Sequence, residues 1–223
     1  MLSKLPIDNS LLSRGVKQSF PNFWTGYQKT VLLEILVKTA ECCGYRKVPL
    51  TLGFGSLLGH VRHGGQIPWC DIVELTVDIR YATLLHTIFN ELEFSGVKQC
   101  PFWGGHYLYT VHGEMVPHEA AYRWPAVIIR YYHNHANYCR YMLPGKNWKW
   151  PVSSMFPLVP VEFEGVSLFA PNNPEDICDI NYGNNWRTMC RTSLWSHKRN
   201  ERGADPPEHC PVSVMSSVYK FVT

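Results

Sequence analysis

Apolar residues recur along this chain first with a helical and then with a strand period. Between residues 26 and 43, Val31, Leu32, Ile35 and Leu36, continued by Thr39, form one stripe at three- and four-residue spacing. That spacing predicts an amphipathic helix. Thr25 followed by Gln28 supplies a capping box, and Gly44 a stop. Residues 48–54 (VPLTLGF) read as a strand delivering a Gly55-Ser56 turn, and residues 72–79 (IVELTVDI) as the next strand. A second helix is predicted over 80–94, where Tyr81, Leu84, Leu85, Ile88, Phe89 and Leu92 share a face, with Gly96 after it.

Short strands follow near 106–112 and 126–132, and residues 158–170 form a hairpin turning at Glu164-Gly165. A third helix opens with Asn173 as cap, Pro174 at its first position and Glu175 and Asp176 in its first turn, and closes at Tyr182-Gly183. The pattern gives α+β or α/β without choosing a topology. It divides the chain into an irregular segment 1–24, one domain over 25–190 and a turn-rich tail over 191–223.

Composition narrows the classes. With 45% hydrophobic and 17% charged residues in 223, the chain can bury a sizeable core. A net charge of +3 without a Lys/Arg run or basic stripe excludes a nucleic-acid partner. No apolar run reaches the ~20 residues of a membrane span, and residues 1–15 lack the apolar centre of a signal peptide. The eight cysteines show no C-x-x-C pair or regular framework and are expected to be buried or free thiols, although their even number keeps an oxidising compartment open.

Candidate chemistry concentrates in residues 53–78, GFGSLLGHVRHGGQIPWCDIVELTVD. Glycine lets backbone come close to whatever sits above the turn. N–H groups of Gly55 and Ser56, with the Ser56 hydroxyl, could then hold phosphate oxygens. Arg62 and His63 would add donors from the loop that follows.

The succession Gly55-Ser-Leu-Leu-Gly59, Arg62-His-Gly64 and Ile67-Pro-Trp69 resembles the LicD family, including its fukutin and fukutin-related branch. Phe156-Pro-Leu158, Phe163-Glu-Gly165, Ala170-Pro-Asn-Asn173, and Tyr182-Gly183 with Trp186 match later landmarks in order, so the resemblance spans about residues 26–190; WSHKR at 195–199 faintly echoes fukutin-like tails. The resemblance implies an α+β, nucleotidyltransferase-type fold: a small mixed sheet flanked by helices, with the active site at the Gly-Ser turn. It also implies transfer of phosphocholine or a polyol phosphate from a CDP-linked donor to a glycan, with Mg²⁺ or Mn²⁺ held by an acidic strand. A Golgi-lumen setting, with a cytoplasmic alternative, and a partner glycosyltransferase come with it.

The acidic strand departs from the family pattern. After Ile-Pro-Trp the family has Asp-x-Asp-x-Asp, whereas this chain has Cys70, Asp71, Ile72, Val73 and Glu74. Ile128 stands where a further family Asp is expected. Strand side chains alternate faces, so a metal pair needs carboxylates at i and i+2. Glu74 has Ile72 and Thr76 as its same-face neighbours, and Asp78 lies roughly 13 Å along the strand. Asp71 and Glu74 are thus what survives of metal binding, and a thiol at position 70 is a poor ligand for Mg²⁺. Two readings stay open: transfer through relocated ligands, or a non-catalytic relative that binds a glycan, nucleotide or partner enzyme in the same groove.

Weaker candidates are a His133/His135 zinc pair, a zinc cluster of Cys190, His197, His209 and Cys210, a Cys70–His63 nucleophile, and an aromatic sugar or choline groove from residues 102–109 with Trp148 and Trp150.

Overall fold

The first apolar stripe folds as helix α1, Gly26–Tyr45, with both arms of the capping box closed: Gln28 N–H donates to Thr25 Oγ1 at 3.2 Å and Thr25 N–H to Gln28 Oε1 at 3.0 Å. Gly44 lies inside the last turn; the chain reverses at Lys47, which takes a left-handed φ of 57°. A computed structural model describes residues 24–142, 147–191, 195–202 and 208–210.

The strands are β1 (Thr51–Leu52), β2 (Val73–Asp78), β3 (Val97–Phe102), β4 (Gly105–Thr110), β5 (Glu114–Val116), β6 (Glu119–Trp124), β7 (Val127–Asn134), β8 (Tyr138–Tyr141), β9 (Lys149–Pro151), β10 (Val159–Phe163) and β11 (Val166–Ala170). Between them run α2 (Phe54–His63), α3 (Ala82–Phe94) and the one-turn α4 (Val152–Met155); α5 (Pro174–Tyr182) follows. Nine of these strands make one mixed sheet in the order β10-β11-β1-β2-β7-β4-β3, with β8 pairing β7 and β9 pairing β8. The β1–β11 and β2–β7 pairs are parallel and the rest antiparallel. The result is an α+β fold, a mixed sheet flanked by helices.

Alternation decides which face of the central pair is core. Val73, Leu75, Val77, Val127 and Ile129 are fully buried. Their face meets α1 and α3: Val73 lies by Leu32 and Leu36, and His106, opposite Ile129, lies 4.6 Å from the Phe89 ring. Each such side chain contributes about 1.5–3 kcal/mol by burial. Glu74, Thr76, Ile128 and Arg130 therefore share the opposite face, with Glu74 directly beside Ile128 and Thr76 beside Arg130 in the ladder.

The strand expected over 48–54 shortens to β1, because after Gly53 the chain turns into α2 rather than into a glycine loop. The expected helix 80–94 opens with a short 3-10 turn, Ile79–Tyr81, before α3. Strand β3 carries no alternating apolar signal, since it lies at the end of the sheet path with Lys98 and Pro101 exposed, where proline costs no ladder bond. The hairpin at Glu164-Gly165 and the Asn173 cap form as expected. Among the described residues, no helix is long and apolar enough to cross a membrane.

Because Leu75 is fully buried in the central strand, Leu75→Ala should cost about 3 kcal/mol in urea unfolding. Thr25→Ala, which removes only a cap, should cost about 1 kcal/mol.

Candidate functional site

The residues between Gly53 and Glu74 converge because α2 docks tightly against β2. A Cβ on Gly53 would stand 2.4 Å from Thr76 Cγ2, and one on Gly59 2.4 Å from the Gly65 carbonyl oxygen, so both approaches require glycine. Gly55 and Ser56 lie in the first turn of α2. Ser56 is fully buried, and its Oγ accepts the Glu74 backbone N–H at 2.8 Å, fastening helix to strand. The Gly55 N–H donates to Glu74 Oε2 at 3.3 Å, so a carboxylate already sits at the positive end of the helix.

Glu74 has a second partner. Its Oε1 accepts from Arg130 Nε at 3.1 Å, with the two side chains 14% and 16% exposed. The guanidinium lies 5.4 Å from the Phe54 ring centroid and 5.1 Å from that of Phe102. Phe54 holds a left-handed φ of 45°, which costs a bulky residue of order 1–3 kcal/mol. Its ring, packed 4.2 Å from Tyr141 and 6.0 Å from Trp148, supplies the contacts that offset it.

The other members of the acidic motif are elsewhere engaged. Cys70 Sγ donates to the Ile72 carbonyl at 3.4 Å, and burial pushes its thiol pKa far up, so it is neither thiolate nor hard ligand. Ile72 and Ile128 are buried side chains without a ligating atom. Asp71, 3% exposed, takes bonds from Ser196 Oγ at 3.3 Å, from His197 Nδ1 at 3.1 Å and from the Lys198 N–H at 3.0 Å. It anchors the hairpin of β12 (Trp195–Ser196) and β13 (Glu201–Arg202) rather than facing Glu74.

A divalent metal of the Mg²⁺ type needs several hard oxygens around one point. The residues here do not fit that requirement: Glu74 lies beside Ile128 and is bonded to a guanidinium, and Asp78, farther along the same face, is bonded to Arg80. Among the described residues no group of three or more His, Cys, Asp or Glu side chains could hold a metal ion.

Arg62 also has a different employment from the phosphate contact expected of it. It is 2% exposed, and its Nη1 donates to the carbonyls of Trp186 at 2.6 Å and Met189 at 3.0 Å. Burial lowers its pKa to about 10, which leaves it cationic at neutral pH. His63 Nε2 accepts from Arg62 Nε at 2.9 Å, and its ring meets Trp69 edge-on. Arg62 and His63 thus brace the segment after α5, while Gly55, Ser56 and Glu74 come together.

The weaker candidates separate. Cys190 and Cys210 form a disulfide, which removes two of the four zinc ligands expected in the tail. The His133 and His135 rings lie 5.8 Å apart on an exposed strand end, His135 stacking on Tyr138. The Cys70–His63 pair does not form a nucleophile, since Cys70 is bonded to Ile72 and His63 to Arg62. Trp150 belongs to the core, whereas Phe102 and Trp148 border Arg130 and Phe54, and Trp103 beside them in sequence is 61% exposed.

Sequence reasoning passed over Arg130, Phe54 and the partners of Asp71. Arg130 carried a usable signal, since it stands two residues from Ile128 and so shares its face.

Compared with known proteins, residues 47–173 match the family described as LicD/FKTN/FKRP, nucleotidyltransferase domain. No curated protein sequence matches the chain significantly. Among solved structures, the chain is similar to ANT(2″)-Ia in complex with adenylyl-2″-tobramycin at 15% identity and a TM-score of 0.43, covering 69% of this chain and 75% of that one.

Removing the Asp71 carboxylate strands three donors. Asp71→Ala is expected to destabilise the fold by about 2–4 kcal/mol in chemical denaturation. Limited proteolysis should show faster cutting near residues 195–202; an unchanged midpoint and cutting rate would count against the anchor.

Proposed function

This chain belongs to the LicD/FKTN/FKRP nucleotidyltransferase-domain family, and from that premise we propose that it uses the family's groove for binding rather than for metal-dependent phosphotransfer. The observation that carries this reading is the pairing of Glu74 with Arg130, with Ile128 beside Glu74 in the ladder. Family chemistry needs a cation bridging donor phosphate and a cluster of carboxylates. Here one carboxylate is left, and it is already neutralised by the protein.

What remains for a ligand is shape and aromatic surface, since Gly55, Arg62 and His63 are already bonded within the protein. The α2 turn that approaches β2, the Ser56 bond to the strand and the aromatic border of Phe54, Phe102 and Trp148 form a shaped surface without a ligand set for Mg²⁺ or Mn²⁺. Its occupant, on the family's precedent, is a nucleotide-linked donor or a glycan; aromatic faces suit sugar rings and choline-type cations. Buried Tyr141, which packs on Phe54, has its phenol pushed up by burial, stays protonated and serves as a neutral group in its wall. The Cys190–Cys210 bond supports an oxidising lumen as the setting.

Calorimetry tests the reading. Titrating Mg²⁺ or Mn²⁺ together with CDP into the unmodified chain should give no metal-dependent binding. A Cys70→Asp/Ile72→Asp/Arg130→Met variant, which restores two carboxylates and removes the competing cation, should gain it. Metal-dependent CDP binding or phosphotransfer by the unmodified chain would overturn the proposal.

A further inference from the structure

A guanidinium held between two aromatic rings, at the place where the family's chemistry puts a metal, is more than a missing ligand set. We propose that Arg130 is a built-in cation that lets this groove hold a diphosphate-bearing ligand without any metal. The inference rests on the functional reading above and names the ligand chemistry of that site.

Three observations carry it. Arg130 is two ladder positions from Ile128 and projects on the same face, so its charge lies on the face of Glu74, Thr76 and Ile128. It is oriented rather than loose: Nε is spent on Glu74, and the Phe54 and Phe102 rings lie near its guanidinium. Its two Nη groups make no hydrogen bond to any described residue, and its side chain keeps 16% exposure, so those donors can be reached. A guanidinium in this state offers paired N–H groups suited to two phosphate oxygens. The α2 N-terminus is not the anion's seat, because Glu74 already occupies it. The strained φ of 45° at Phe54 fits the same picture, since it sets the ring against the cation.

The arrangement makes Glu74 a competitor as well as a holder. Its carboxylate supports Arg130 through Nε but repels an incoming anion, so neutralising it should help the ligand while removing Arg130 should harm it. A purely structural ion pair would respond to the two changes alike.

The experiment is titration of the full chain with inorganic pyrophosphate in EDTA. Saturable binding that weakens with added salt is expected, and Arg130→Met should weaken it about tenfold or more. Arg130→Lys should recover part of the loss, and Glu74→Gln should tighten binding several-fold. Should Arg130→Met fail to fold, the Lys and Gln variants still decide the matter. No saturable binding into the millimolar range overturns the proposal, as does binding indifferent to Arg130 or weakened by Glu74→Gln. Metal-dependent CDP binding by the unmodified chain would sink the functional reading; metal-free pyrophosphate binding that ignores Arg130 would sink only this inference.

Discussion

The Glu74 carboxylate is the point on which the site's architecture depends. One oxygen takes the Gly55 N–H at the start of α2 and the other takes Arg130 Nε from β7, while the Glu74 backbone N–H is held by Ser56. A helix and two parallel strands are thus fixed to one another through a single residue. Such a residue must keep its partners, because a carboxylate at 14% exposure without them would carry its desolvation cost uncompensated. Any role that required Glu74 to release Arg130 and take up a metal would loosen the same joint.

A second joint lies on the opposite side of the strand's approach. Asp71 gathers Ser196, His197 and Lys198, and Arg62 holds the carbonyls of Trp186 and Met189. Two kinds of interaction thus tie the chain beyond α5 to the motif region, a carboxylate and a guanidinium, and the Cys190–Cys210 bond closes that later segment on itself. Residues with the credentials of catalysis, an Asp in an acidic motif and an Arg after a glycine-rich turn, therefore serve as fasteners. Their burial, at 3% and 2% exposure, is what distinguishes the two roles.

Much of this architecture was legible beforehand, for reasons that differ by element. Helices α1 and α5 announced themselves through caps, and α1 through a stripe as well, because those signals are local and chemical. The β10–β11 hairpin followed from its Glu164-Gly165 turn. Strands β3, β8 and β9 were not legible, since short or peripheral strands owe their pairing to neighbours remote in sequence. The same distinction governs the site. Cys70, Ile72 and Ile128 showed what was missing from the family motif, because motif position is a one-dimensional property. What fills the gap depends on the parallel register of β2 and β7 and on contacts spanning 56 residues, from Glu74 to Arg130.

That register also orders the history of the site. A guanidinium and a divalent cation compete for the same carboxylate and repel each other across a short distance, so the two arrangements exclude one another. An aspartate introduced at position 128 would stand two residues from Arg130 on the same strand face, where the guanidinium would bind it as a second counter-ion instead of yielding it to a metal. Loss of the arginine would have to come first, leaving Glu74 exposed to its own desolvation cost in the meantime. The substitution works as a ratchet, easier to enter than to leave.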